Sequence, residues 1–435
     1  MTSQVSYRSL QTIIVEACQR LPDHRSGQNT RYEISDAALG AFGAFFMQSP
    51  SFLAYQRDLQ QRKECNNAQS LFGVSEIPSN QQIRNLLDPI SPSHLGEPFW
   101  AILDQSMKDR EIEKAFEYDG GWLCSIDGTQ YFGSRSIHCA QCTVAHHEDG
   151  ESYAHTVLIT ILAKPGKREV LVLEPEFIRP QDGSVKQDCE QKAAQRWIKR
   201  NATHFVGRSV TILADDLHCK QPFCQLLLDH QLDFILTCKE KSHSTLYEEV
   251  ALLEQCGGVS SYQKRVWTGK GHQLWHYRFA ERLPMRAPPY ALYVNWCELT
   301  ITREDTGKQV HHSAFVTNRT VSEHTVEHII EAGRARWKVE NEGNNVLKNH
   351  GYYLEHNYGH GHHHLAAILV MLILLAFLCH TVLHLCDHNY QRLRAELGAR
   401  RTFFNDIRAL TRYFYFGSWE HLIAFMINGL ELAPG

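Results

Sequence analysis

The sequence predicts an α/β core carrying a β-rich insertion and flanked at both ends by helical regions, and three observations carry that expectation. Two apolar, strand-like runs lead into aspartates, Gly121 to Asp127 and Ser209 to Asp215. Between them, Gln187 to Asn201 shows helical periodicity with alternating charge, and a helix between strands indicates an α/β arrangement. From about Tyr247 to Thr317 the pattern changes to short aromatic and β-branched runs separated by Gly and Pro turns, which reads as an insertion built of strands. The expected organisation is a helical N-terminal region over residues 1–115 suited to DNA binding, a first part of the core over 116–240, the insertion over 241–318, a second part of the core over 319–390, and a helical C-terminal region over 391–435.

Each element has a local reason. In the N-terminal region, Ser35 is placed to cap a helix running into Ala37, Leu39, Phe42 and Phe45, and Ser79 or Asn80 to cap a second, shorter one. Two short helices joined by a turn suit DNA recognition, and equally suit an ordinary helical subdomain. Tyr153 to Ala163 and Arg168 to Glu174 add strand patterns to the core. Ala291 to Trp296 and Ser313 to Asn318 are the clearest strands of the insertion, and helix resumes near Ser322 and continues through Lys348.

A chain of 435 residues with 43% hydrophobic content has material for a substantial core, and a formal net charge of -4 excludes a globally basic nucleic-acid binder. Any DNA contact must come from local patches: Lys264, Arg265, Lys270, Arg278, Arg282 and Arg286 form one, and Arg392, Arg394, Arg400, Arg401, Arg408 and Arg412 another. Thirteen cysteines without the dense spacing of a disulfide scaffold read as reduced thiols of an intracellular protein, and the first residues carry no secretory pattern. Leu365 to Cys386 holds no Asp, Glu, Lys or Arg over 22 residues and is long enough to cross a membrane. Histidines at its start and in its last third, and the lack of a second such segment, favour a buried core helix.

Three acids stand out as chemistry. Asp127 and Asp215 end apolar strand patterns, where a carboxylate emerges at a sheet's edge, and Glu340 lies on the helix after the insertion with Arg336 one turn before it on the same face. Taken singly, each has an ordinary structural explanation in a turn, a cap or a surface ion pair. Taken together, three carboxylates suit two hard divalent cations acting on a phosphodiester.

These residues resemble the insertion-sequence transposases of the Asp-Asp-Glu class, in the bacterial group marked by a Tyr-Arg-Glu-Lys signature around the glutamate. Arg336 and Glu340 match the centre of that signature, Ser125 to Phe132 resembles the first-aspartate motif, Leu213 to Leu217 the second, and the run from Asn341 to Gly361 the segment beyond the glutamate. Leu21 to Arg25 is similar to the N-terminal region of the group, so the likeness spans most of the chain. Gly333 stands where the signature has tyrosine, and Lys348 comes one residue later than the signature's lysine, which leaves Glu342 as a rival to Glu340.

The resemblance implies a ribonuclease-H-like catalytic core in which Asp127, Asp215 and Glu340 bind two Mg²⁺ or Mn²⁺ ions. Arg336 and Lys348 would then face the DNA backbone near the scissile phosphate. Trp337 would stack on a displaced base or sit in the core. The implied partners are double-stranded DNA, as element terminal repeats and target, and a second copy of the chain on that DNA. The implied location is the cytoplasm of a bacterium, at the nucleoid and not in a membrane. Two further readings stay open: a catalytically inactive DNA-binding relic of such an enzyme, motivated by Gly333 and Lys348, and a membrane-associated protein, motivated by Leu365 to Cys386.

One more cluster has metal-ligand character. Cys139 and Cys142 are followed by His146 and His147, ligand types and near-spacing that suit a structural Zn²⁺, set against reduced cysteines in a loop. The run His360-Gly-His-His-His has ligands that could bind transition metals loosely, set against the favoured reading of a polar loop entering the apolar helix.

Overall fold

The computed structural model describes residues 5–27, 30–59, 66–180 and 189–432. Seven short helices come first: α1 (Tyr7–Gln19), α2 (Ile34–Phe46), α3 (Phe52–Leu59), α4 (Asn67–Phe72), α5 (Asn80–Leu87), α6 (Glu97–Ser106) and α7 (Arg110–Phe116). Ser79 caps α5 by accepting from Gln82 N–H at 3.3 Å, as the sequence suggests. Ser35 caps nothing: it lies inside α2, whose N-cap is Glu33.

The strands are β1 (Glu117–Tyr118), β2 (Gly121–Ser134), β3 (Thr143–His147), β4 (Gly150–Ala163), β5 (Leu171–Val172), β6 (Glu176–Ile178), β7 (Val210–Ala214), β8 (Asp233–Thr237), β9 (Ser260–Trp267), β10 (His272–Pro284), β11 (Tyr293–Arg303) and β12 (Gln309–Thr317). They form one mixed, twelve-stranded sheet in the order β3-β4-β2-β7-β8-β12-β11-β10-β9, with β1 on β2, and with β5 and β6 on β4. Pairing is parallel between β2 and β7 and between β7 and β8, and antiparallel elsewhere. Helices α8 (Glu190–Asn201) and α9 (Gln221–Asp229) make the crossovers into β7 and β8 that parallel pairing requires. Residues 187 and 188 of the expected helix lie outside the described residues. The chain is thus α/β, and the four insertion strands extend the core sheet through the β8–β12 pair.

The central strands are buried and largely apolar because both of their faces are covered. Side chains alternate between two cores: Leu123, Leu213 and Ile235 pack with α11 (Val326–Arg334), whereas Cys124, Ile212 and Phe234 join the larger core on the other side. That larger core is organised around α13 (Leu365–Cys386), which packs against α1, α2, α5 and α6, against β5, and against α14 (His388–Glu396). Its residues from Ile368 to Leu383 are all buried. Among the described residues it is the one helix long and apolar enough to cross a membrane, and it is mostly enclosed by the fold. Helices α15 (Arg400–Tyr413) and α16 (Trp419–Gly429) close the same core, so the N- and C-terminal helices share one interior.

Three further sequence expectations are corrected. The strand-built stretch expected from about Tyr247 opens on helix α10 (Ser244–Gln255), and its strands begin only at Ser260. The run from Arg168 to Glu174 contributes only the two-residue β5. The continuous helix expected from Ser322 to Lys348 begins as α11 at Val326 and changes character three times, to a 3₁₀ turn at Ala335–Trp337, a π-helical turn at Val339–Asn344 and α12 (Asn345–Asn349).

Candidate functional site

Strand register assembles the site. Ser125 of β2 pairs with Leu213 of the parallel strand β7, and continuing that register by two residues sets Asp127 opposite Asp215. Strand β7 stops at Ala214, so Asp215 leaves the sheet at a carboxyl end, where open α/β sheets place their ligands. Strand β2 does not stop: it runs on to Ser134, and Asp127 sits within it, paired with Ile159 of β4. The expected strand end at Asp127 is therefore the end of its neighbour β7. Asp216 has a different task, accepting from Lys239 N–H at 2.7 Å and contacting His243 at 3.2 Å, which ties down the loop after β8.

The third acid arrives from the wide turn. The Ser125 hydroxyl donates to the Arg336 carbonyl at 3.1 Å, docking the turn on β2. Arg336 is buried and points inward, with Nη1 2.9 Å from Glu340 Oε1 and 3.9 Å from Asp127 Oδ1. From the last residue of the π turn, the Asn344 amide donates to Asp127 Oδ2 at 3.1 Å. Glu342, in contrast, lines a cavity with Arg168, His380, His384 and Arg400 whose lining includes neither Asp127 nor Asp215.

A fourth carboxylate was not singled out from the sequence. Glu190, the first residue of α8, accepts from Gly128 N–H at 3.1 Å and from His218 Nε2 at 3.0 Å. It approaches so closely that a Cβ on Gly128 would lie 2.3 Å from its Oε2, so a larger residue beside Asp127 would displace the Glu190 carboxylate. An acid in the first turn of a helix reads as a complement to the helix dipole, and this masked Glu190 in the sequence.

Electrostatics sets this group apart. Burial pushes the Asp127 carboxyl up to about 7, and the charges of Glu190, Glu340 and Asp215 add to the rise while the Arg336 guanidinium opposes it. One arginine faces four carboxylates. The excess negative charge and the all-oxygen donor set fit hard divalent cations, and do not fit a soft-metal site.

The remaining predicted residues are distributed as follows. Trp337 is 53% exposed, which corrects the core reading, and the Arg336 guanidinium lies 4.6 Å from its ring centroid. Lys348 forms an ion pair with Glu355 at 2.7 Å. Gly333 faces β12, where a Cβ would sit 2.7 Å from the Phe315 ring, so a tyrosine cannot replace it without separating α11 from the sheet. Much of the basic surface is used internally. Lys264 pairs with Glu327, Arg265 with Glu304, and Arg278 with Glu254 and Glu298, while Arg400 donates to Tyr352 and Arg408 to the carbonyls of Met47 and Gln48.

The cysteine cluster forms with different histidines. Cys139 and Cys142 meet His155 of β4 and His360 of the loop before α13. His146 and His147 lie on the exposed part of β3, bonded to Glu151 and Ser152, and are corrected as ligands of this group. A second buried cluster joins Cys219, Cys238 and His243. No disulfide joins the described cysteines.

No protein-family profile matches this chain, and no curated protein sequence matches it either.

Proposed function

We propose that the chain is a DNA transposase of the Asp-Asp-Glu class that binds the ends of a mobile element and catalyses metal-dependent strand cleavage and strand transfer. The observation that carries the proposal is the convergence of Asp127, Asp215 and Glu340, from two parallel strands and a distant wide turn, around a carboxyl raised to about 7. The ribonuclease-H-like reading of the core draws support from the antiparallel set β6-β4-β2 continued by parallel β7 and β8.

Two Mg²⁺ or Mn²⁺ ions held by Asp127, Asp215 and Glu340 would supply activation of the attacking oxygen and stabilisation of the leaving one. The protein's own contribution is preorganisation. Asn344 and Arg336 orient Asp127 and Glu340 before any ligand arrives, and Glu190 holds the Gly128 backbone in place. The Arg336 guanidinium, 8% exposed at its side chain, limits charge repulsion among the acids and stands beside the position where a phosphate would bind. Exposed Trp337, stacked on that arginine, offers a face to an unpaired base. Glu340 is favoured over Glu342 because Glu340 shares Arg336 with Asp127.

The wide turn supports the signature match. A π turn holds one residue more than an α turn, so positions after it are rotated back by one. Lys348 then takes the helical face that its predecessor would occupy on an uninterrupted helix. The partners proposed are double-stranded DNA and a second copy of the chain assembled on it, in the bacterial cytoplasm at the nucleoid.

The test uses inverted repeats flanking the reading frame as substrate. Incubation of that duplex with the protein and Mg²⁺ or Mn²⁺ should give nicks at the element ends, and Asp127→Asn should reduce them by at least about 100-fold. Cleavage undiminished in that variant would remove Asp127 from the mechanism. Retained binding with no cutting in either metal would favour a DNA-binding relic.

A further inference from the structure

The second metal-ligating group lies away from the acids and has its own geometry. Cys139 and Cys142 come from the loop between β2 and β3, His155 from β4, and His360 from the loop that enters α13. Their sulfur and nitrogen atoms all lie within 4.8 Å of one another. Cys139 Sγ is 4.0 Å from Cys142 Sγ and 3.6 Å from His155 Nε2. Cys142 Sγ is 3.5 Å from His155 Nε2 and 3.6 Å from His360 Nε2. Tetrahedral zinc, with Zn–S of about 2.3 Å and Zn–N of about 2.0–2.1 Å, sets S···S near 3.8 Å and S···N near 3.6 Å. Four of the six edges of that tetrahedron are already within about 0.2 Å of these values, and the other two are no longer than 4.8 Å.

A second, independent observation concerns the backbone. Gln141 N–H points at Cys139 Sγ, with N···S 3.4 Å, and Cys142 N–H donates to the Cys139 carbonyl at 3.1 Å. The Cys139 to Cys142 turn thus aims an amide dipole at a sulfur, an arrangement that stabilises a thiolate and orients it as a ligand. Aromatic packing holds the imidazoles in place: Tyr131 stacks on His155 at 5.5 Å between centroids, and Phe132 lies against His360 at 4.3 Å. Cys142 and His155 are 3% and 5% exposed, so the centre is sheltered from solvent.

We propose that Cys139, Cys142, His155 and His360 bind one structural Zn²⁺ that staples the edge of the sheet to the segment linking the glutamate turn to α13. All four positions are filled by protein atoms, which makes the site closed and leaves no vertex for a substrate. The loop from Gly359 to Leu365 is also gripped by Asp88, whose carboxylate accepts from the backbone N–H groups of His362, His363 and Leu365 at 3.0–3.2 Å. The metal and Asp88 would hold this loop from two sides. The segment they hold begins at Asn344, which contacts Asp127, so the staple limits how far that end of the acid site can drift.

The proposal is independent of DNA cleavage and is tested on the full chain without DNA. Purified protein should contain about one zinc per chain removable by a strong chelator, with a lowered unfolding temperature after removal. Co²⁺ loaded in place of zinc should show intense tetrahedral d–d bands and thiolate charge-transfer bands. Cys142→Ser and His360→Ala should each lower metal content at least about tenfold, while the double variant His146→Ala and His147→Ala keeps it. Three outcomes would overturn the assignment: cobalt protein of the unaltered sequence without thiolate bands; bands that survive Cys142→Ser and vanish in Cys219→Ser, placing the metal at the other cluster; or a Cys139–Cys142 disulfide in protein purified under reducing conditions. The unaltered chain carries the first and third readouts, so a variant that does not fold leaves the test intact.

Discussion

Asp127 carries opposing demands in a single side chain. Its carboxyl is raised from an ordinary 3.8 to about 7 by burial and by three acidic neighbours. A carboxyl with a raised folded-state value contributes stability that is fully present below about pH 4 and is lost as pH climbs through about 7. A divalent cation that binds the ionised cluster reverses this loss. The thermal midpoint should therefore gain more from millimolar Mg²⁺ at about pH 8 than at about pH 5.5, and Asp127→Asn should abolish the difference. Equal gains at the two pH values in melts of the unaltered chain would disconnect Asp127 from the metal. At this scale the sequence was informative only where the signal is local. Asp127 and Asp215 are legible because an acid following an apolar strand is visible in a window of seven residues. Glu190 and His218 are not, because the contacts of Glu190 with Gly128 and with His218 depend on where α8 lands.

Among the elements, the segment from Val326 to Asn349 departs furthest from its sequence pattern. Apolar spacing predicts one helix, yet close packing at Gly333 and the π turn at Val339–Asn344 set its path. Restoring the signature's tyrosine tests this directly. Gly333→Tyr should not raise activity, and should destabilise the fold by about 1–3 kcal/mol in urea unfolding, because the ring must displace Phe315. A stable variant with enhanced cleavage would contradict the packing account. The β3–β4 hairpin shows a different limit. Along a strand each residue advances about 3.3 Å, so His146 lies roughly 10 Å along the chain path from Thr143, whereas antiparallel pairing of Thr143 with Ala154 brings His155 beside Cys142. Close spacing in sequence pointed to His146 and His147, and strand pairing selected His155. His360 lies in a histidine-rich run that is visible locally, but nothing in the sequence ties it to Cys142, more than 200 residues earlier.

On the scale of the whole molecule, the α/β class, the strand insertion and the burial of α13 were legible, since each follows from composition and periodicity over long windows. The sharing of one interior by the two ends of the chain was not. Helices α1, α2 and α14 pack on α13, α15 reaches it through Phe404 against His380, α16 packs on α1 and α14 within the same core, and α2 is apolar nearly all round. A chain stopped after residue 364 removes that centre, so it should bind a hydrophobic dye strongly and partition into the insoluble fraction, while the full chain remains in the supernatant without detergent. A well-behaved, non-aggregating truncated protein would contradict the shared core.

The central position of α13 also bears on biosynthesis. During translation helices α1 and α2 emerge more than 300 residues before the segment that covers them, and at about 5–20 residues per second they wait on the order of tens of seconds. Their small-residue and aromatic faces, rich in Ala, Gly and Phe, must be shielded through that interval, and closing so long a loop slows the final collapse. Apolar surface left uncovered for that long is the kind that holding chaperones bind.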